Sequence, residues 1–272
     1  MKSPKQMTIE ATDKAKMPEG TSAVLDNRTL QKDYSTLIPI LKKDLRVLDI
    51  GCGTGAISKG IAEIVGKNGY VIGIDSSEHL IAKGKKDWKS VANLELIAVD
   101  LFEYEPEEKF DLVVSARVLQ WLSNPEEALI KCKEFLKPGG QMSVLDYNHT
   151  KLKWMPEPPE SMKRFYKAFL NWRAEAGMDN EIAEHLPEFF KKAGFHSIEI
   201  LNSNEVYQKG EDNFIDKAGI WLHVASLRGR QVVQNGYLSD EELSQTIKEY
   251  DTWVKNEAKS MTMKLNEIRG KM

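Results

Sequence analysis

The sequence predicts an α/β fold, a parallel sheet wound by right-handed crossovers with helices on both faces. Three observations carry this. Short apolar, β-branched runs alternate with helix-length segments from residue 46 to 146. The first run opens into Asp49-Ile50-Gly51-Cys52-Gly53-Thr54-Gly55, and the second, YVIGID, ends in the carboxylate of Asp75. Glycine at alternate positions lets the chain turn sharply out of a strand and leaves no Cβ where a ligand approaches.

The elements follow in order. Residues 1–25 are polar, with Pro4, Pro18 and Gly20, and read as a flexible N-terminal arm. In 26–42, Leu30, Tyr34, Leu37, Ile38 and Leu41 fall at three- and four-residue spacing, the mark of a helical face packed on the sheet. Strands are expected at 46–50, 70–74, 94–99, 112–115 and 141–146, and helices at 56–65, 78–89 and 125–136. After Tyr147 the pattern changes. Pro156, Pro158 and Pro159 make 149–159 a connector, and 161–176 is helical with Met162, Phe165, Tyr166, Phe169 and Trp172 on one stripe. A helix over 181–193 leads to a strand at 196–201, and 214–234 and 239–271 are helical, the last opening on a Ser239/Glu242 capping box. The organisation is therefore an arm (1–25), a core (26–146), a cap insertion (147–180), the end of the core sheet (181–210) and a C-terminal helical extension (211–272).

Composition narrows the function. With 272 residues, 41% hydrophobic and 29% charged, the chain has the make-up of a soluble globular protein with one sizeable core. Lys and Arg (38) nearly balance Asp and Glu (41), and like charges never run in a block, which argues against nucleic acid or an anionic membrane as partner and for a small molecule. The two cysteines, Cys52 and Cys132, and an N-terminus without an apolar leader point to the cytoplasm, and no apolar run is long enough to span a membrane. The histidines and cysteines never cluster at ligand spacing, so no metal site is expected.

The glycine loop aims the free N–H groups of the following helix at a ligand, and Asp75 suits the two hydroxyls of a ribose, since both its oxygens accept. The ligand is adenosine-like. The loop leaves two such cofactors open, because Gly51, Gly53 and Ala56 also satisfy the dinucleotide fingerprint. The wider chain resembles the class I S-adenosylmethionine-dependent methyltransferases of small molecules. VLDIGCGTG looks like their first motif, GID their second, AVDLFEY their third, FDLVVSARVLQWL their fourth and LKPGGQMSVLD the turn before their fifth strand. LPEFFKKAGFHSIEI is similar to their closing helix and strand.

The resemblance implies a Rossmann-like, seven-stranded, mainly parallel sheet with a helical cap, acting as a monomer or homodimer. It implies an SN2 methyl transfer to a small-molecule acceptor that releases S-adenosylhomocysteine. Asp49 and the backbone of Gly51, Cys52, Gly53 and Gly55 would hold the methionine moiety, and Asp75 with Ser76 the ribose. Asp100 and Leu101 would flank the adenine, the Ala116 carbonyl would meet the methionyl ammonium, and Arg28 would stand near the carboxylate. Gln120 and Trp121 depart from the family's usual His or Asn there. Should the acceptor need a base, Tyr34 and His149 are the candidates put forward, with Tyr147 and His223 behind them. Trp121, Trp154, Phe165, Phe169, Trp172 and Trp221 belong to the rim and cap, as acceptor pocket or as buried stripe, and Cys52 is a small packing residue. Two other functions remain open at this point, an NAD-dependent oxidoreductase and a non-catalytic S-adenosylmethionine-binding protein.

Overall fold

The computed structural model describes residues 4–16 and 28–272; positions 1–3 and 17–27, with both ends of the expected arm and the first residues of the 26–42 helix, lie outside the described residues. The described chain opens with helix α1 (Pro4–Ala15), a short α2 (Leu30–Asp33) and a 3-10 turn (Ser35–Ile40). Strand–helix alternation follows: β1 (Arg46–Ile50), α3 (Ala56–Val65), β2 (Tyr70–Asp75), α4 (Glu78–Asp87), β3 (Leu94–Ala98), β4 (Phe110–Ala116) and α5 (Pro125–Glu134). Next come β5 (Leu136–Met155), α6 (Glu160–Ala174), α7 (Ile182–Lys192), β6 (His196–Asn202) and β7 (Glu205–Gln208). The chain ends with α8 (Phe214–Ala218), α9 (Ile220–Gln234), α10 (Asp240–Asn256) and β8 (Ser260–Lys271).

The strands form one eight-stranded sheet in the order β3-β2-β1-β4-β5-β8-β6, with β7 also on β8. β3, β2, β1, β4 and β5 are parallel, while β8 runs antiparallel between β5 on one side and β6 and β7 on the other. Period-two side chains split the core. Val47, Val71, Leu112 and Val114 pack on one face, and Leu48, Ile50, Ile72, Ile74 and Val113 on the other. Helices α3, α6, α9 and α10 cover the first face; α5 and α7 cover the second. The chain winds from β1 outward to β3, then returns to lay β4 on the opposite side of β1, so the carboxyl ends of β1 and β4 flank a topological switch point, the usual place for a ligand in such sheets.

Several expectations need correction. The last helix stops at Asn256, and Ser260–Lys271 is a strand that buries Met261, Met263 and Leu265 at alternate positions. The Ser239/Glu242 capping box does open α10. Of the expected 149–159 connector, 149–155 is instead the outer part of β5, in which exposed Lys151 and Lys153 alternate with Leu152 and Trp154, and Lys153, Trp154 and Met155 pair with Thr262, Met261 and Ser260; 156–159, with the three prolines, connects β5 to α6. β7 adds an eighth strand to the expected seven. The start of the arm is the helix α1. Among the described residues of 26–42 (28–42), Leu30–Asp33 alone is α-helical; Tyr34 leaves helical geometry and Pro39 lies in the tighter 3-10 turn.

Helix α1 is held at its C-terminal end by a cation. The Arg228 guanidinium, on α9, donates to the carbonyls of Lys14 (2.6 Å), Lys16 (2.6 Å) and Ala15 (3.1 Å), the groups a helix end leaves unpaired. The same guanidinium lies over Trp121 at 4.8 Å, with Arg173 over that indole at 4.7 Å. Arg228→Met is expected to cost on the order of 1–2 kcal/mol, read as faster amide exchange over residues 4–16 with the sheet unaffected; unchanged exchange there would show that Arg228 does not hold the helix.

Candidate functional site

β1 ends in Asp49 and Ile50, and the chain turns through Gly51 (φ +67°), Gly53 (φ +59°) and Gly55 (φ +73°) into α3. A Cβ on Gly51 would sit 2.4 Å from Val118 Cγ2, so the positive φ and the close approach both demand glycine. Hydrogen bonds from Gly51 N (2.8 Å) and Cys52 N (3.0 Å) to the Ile74 carbonyl tie the loop to β2. Asp75 accepts Gly53 N–H at 2.9 Å on one oxygen and Ser77 N–H at 2.8 Å on the other, which leaves each oxygen a lone pair for a hydroxyl. Cys52 packs its sulfur toward Gly73, where a Cβ would lie 2.8 Å from Sγ.

Above this loop opens a cavity of about 820 Å³ at the β1/β4 switch point. The residues put forward for the cofactor line it: Arg28, Asp49, Gly51, Cys52, Gly53, Asp75, Ser76, Asp100, Leu101 and Ala116. Gly55 does not; it caps α3 and packs against Leu96. Asp100 accepts Phe102 N–H at 2.8 Å through Oδ1, and its Oδ2 has no partner among the described residues. Asp49 is 4% exposed and accepts the Ser58 hydroxyl at 2.6 Å; burial pushes its pKa up to about 7, against the pull of that hydrogen bond. Asp75 is raised too, by burial, against the two backbone N–H groups.

The base candidates do not join this group. Tyr34 is buried under the sheet, its hydroxyl 2.7 Å from Ser143 Oγ, and burial raises its pKa well above the ordinary value. His149 is buried among Phe169 and Trp221, its Nε2 2.6 Å from Gln120 Oε1, and burial and the Arg173 charge lower its pKa so that the ring is neutral. Neither lines the cavity, and His223 does not either. Residues 147–180, expected as a cap, place Met162, Phe165, Phe169 and Trp172 in the core, and none of them reaches the cavity wall. Of the six aromatic residues considered for an acceptor pocket, Trp121 alone lines it.

Two features of the cavity escaped the sequence reading. Ala11, Thr12, Ala15 and Lys16 of the α1 segment form part of its wall. Arg117, which directly follows β4, is 5% exposed with φ +63° and lines the cavity as well. Its Nε donates to Tyr147 Oη at 2.9 Å, and Nη2 to the Asp33 carbonyl at 3.0 Å and to Glu205 at 2.5 Å. Burial works against its charge, but Tyr147 and Glu205 outweigh it and raise the pKa. Arg28 stands beside it, its pKa lowered by burial and by the Arg117 charge. The sequence signal was a cation set among apolar residues in VVSARVLQWL.

These donors and acceptors fit the donor expected of the family: a glycine cradle that a side chain would fill, a carboxylate with spare lone pairs at the β2 end, and an unpaired carboxylate oxygen at the β3 end. Comparison with known proteins agrees. The family model described as "Methyltransferase domain" matches residues 41–218. Demethylmenaquinone methyltransferase of Listeria monocytogenes is 28% identical over 177 residues, 60% of this chain and 74% of its own length. A malonyl-[acyl-carrier protein] O-methyltransferase of Ilyobacter polytropus is 36% identical over 94 residues, 35% of this chain and 36% of its own.

Among solved structures, phosphoethanolamine N-methyltransferase 2 of Haemonchus contortus, in complex with phosphomonomethylethanolamine and S-adenosylhomocysteine, superposes with a TM-score of 0.55 at 19% identity. That match covers 94% of this chain and 53% of the nematode protein. The YcgJ protein of Bacillus subtilis gives 0.55 at 16% identity over 89% of this chain and 97% of that one. At such identities the superpositions show the fold. Nothing in the comparisons supports the oxidoreductase or the non-catalytic alternative. The sheet order, the glycine loop and the family match together place this chain in the class I S-adenosylmethionine-dependent methyltransferases, enzymes that transfer the methyl group of that cofactor to an acceptor.

Proposed function

We propose that the residues around the switch point divide the work of a small-molecule methyltransferase as follows. Asp49 and the Gly51–Gly53 backbone hold the methionine moiety, Arg28 its carboxylate and the Ala116 carbonyl its ammonium; Asp75 and Ser76 hold the ribose, Asp100 and Leu101 the adenine. The observation that carries this is the gathering of these residues on the wall of one cavity at the carboxyl ends of β1 to β4.

When bound, S-adenosylmethionine supplies a methyl group on a sulfonium, open to displacement by a nucleophile. The chain's contribution is then position and exclusion of water: fixing two reactants in line accounts for roughly 7–11 kcal/mol of barrier without a catalytic side chain. Burial of Tyr34 and His149 away from the cavity accords with that. The α1 segment, latched by Arg228, contributes Ala11, Thr12, Ala15 and Lys16 to the wall. The balance of 38 basic against 41 acidic residues supports a small acceptor over a polyanion, and two free thiols support a reducing cytoplasm as its place. Among the described residues, no helix is long and apolar enough to cross a membrane.

S-adenosylhomocysteine at about a hundred times its Kd should raise the melting temperature by roughly 5–10 °C. NAD should not, and Asp75→Ala should remove most of the shift; a full shift in that variant would dissociate Asp75 from the ribose.

Asp49 makes a pH prediction. Its folded pKa of about 7 stands above the ordinary carboxyl value of 3.8, so its contribution to stability is complete below 3.8 and is lost as pH rises through 7. The ligand-free protein should therefore lose stability, through this group, between pH 4 and 8, and Asp49→Asn should flatten that slope. Binding of the ammonium-bearing ligand favours the ionised carboxylate, so S-adenosylhomocysteine should bind more tightly at pH 8 than at pH 6 in the wild type and show little such dependence in Asp49→Asn. Calorimetry at the two pH values decides it, and equal pH dependence in both proteins would remove Asp49 from the ligand's cationic end.

A further inference from the structure

We propose that Arg117, bracketed by Glu205 and Tyr147, is the recognition point for an anionic oxygen group, carboxylate or phosphate, on the methyl acceptor. The inference rests on the reading that the β1–β3 half of the cavity takes the cofactor, and it adds the chemical class of the second substrate.

The first support is an unmet donor. Among the described residues Arg117 Nη1 is buried without a hydrogen-bond partner, although the rest of the guanidinium is bonded through Nε and Nη2. A buried N–H left unpaired is costly, and the residue also carries a positive φ, so two unfavourable features coincide at one place on the cavity wall. The second is direction. From the end of β4 the side chain reaches Tyr147 on β5 and Glu205 on β7, on the far side of β1 from Asp75 and Asp100, and so stands outside the group assigned to ribose and adenine.

The third is charge. Around this point stand the cations Arg28, Arg117 and Lys217 and the carboxylates Glu205 and Asp33, with Lys217 3.9 Å from Asp33. Glu205 neutralises Arg117 and also accepts the Tyr207 hydroxyl at 2.7 Å, which fixes it in place. With that pair settled, the Nη1 side of the guanidinium remains for a ligand, and a guanidinium fork suits carboxylate and phosphate oxygens. Of the described residues with a buried, unpaired side-chain polar atom, Arg117 is the one that lines the cavity.

The test uses the full chain saturated with S-adenosylhomocysteine and titrates benzoate and phenyl phosphate against benzamide, with chloride at matched ionic strength, read by melting temperature and calorimetry. At least one of the two anions should bind and benzamide should not. Arg117→Met should lower anion affinity about tenfold or more while S-adenosylhomocysteine still binds, and Glu205→Gln, which removes the competing carboxylate, should raise it. If Arg117→Met alone fails to fold because Glu205 is left buried and unpaired, the Arg117→Met/Glu205→Gln double variant should fold and lack anion binding. The proposal is overturned if neither anion exceeds the chloride control, if the Arg117 variants bind them as the wild type does, or if Arg117→Met loses S-adenosylhomocysteine and keeps the anions. A wild type that S-adenosylhomocysteine fails to stabilise sinks the cofactor reading itself, a distinct result visible before any anion is added.

Discussion

The two hydrogen bonds accepted by Asp75 are the constraint on which the cavity depends. One oxygen holds Gly53 N–H in the loop after β1; the other holds Ser77 N–H in the turn after β2. Two loops that leave neighbouring parallel strands are thereby fixed to each other through one carboxylate, and their glycine backbone stays open toward the cavity. The interaction works because Asp75 is largely shielded from water: burial disfavours its charge, and the two N–H groups offset that cost in part. A residue placed to bind a ligand is in this way also the brace of the loop that must meet it.

The parallel half of the fold was legible because each of its strands carries its own local signal. Val47, Leu48, Val71, Ile72, Leu112 and Val113 are apolar and β-branched or leucine, buried on both faces, and each run is punctuated by a glycine turn or a helix start. The antiparallel half was not. β8 reads as polar after Leu265 because Asn266, Glu267 and Arg269 are buried there, and partners from elsewhere in the chain satisfy them: Arg269 Nη2 donates to the Thr36 carbonyl, Ser143 Oγ donates to Glu267 at 2.6 Å, and Asn266 Nδ2 donates to the Ala183 carbonyl at 3.2 Å. No local pattern reports such distant pairing. The outer half of β5 was hidden for a different reason, since the prolines that follow it outweighed the alternation of Lys151, Leu152, Lys153 and Trp154.

The candidate site divides along the same line. Its glycine and carboxylate residues were legible because their types and spacing are dictated by a ligand that approaches backbone. The base candidates lie off the cavity wall because position at a strand end says nothing about which way a side chain turns: His149 follows the cavity edge in sequence yet packs its ring against Phe169 and Trp221. Arg117 was missed for the opposite reason. Its partners Tyr147 and Glu205 lie 30 and 88 residues away, and without them a cation in an apolar run reads as an irregularity.

The position of β8 bears on how the molecule comes into being. It is the last element of the described chain to be synthesised, yet it lies inside the sheet, paired with β5 on one edge and with β6 and β7 on the other. Until it emerges from the ribosome, β6 and β7 have nothing to pair with, and the open edge of β5 presents a row of unsatisfied N–H and C=O groups. The nascent protein can assemble its cofactor half from the parallel strands while Glu205, and hence the setting of Arg117, still waits for the final strand. The β1–β3 half of the cavity therefore has a route to form early, and the surroundings of Arg117, where we place acceptor recognition, are completed last.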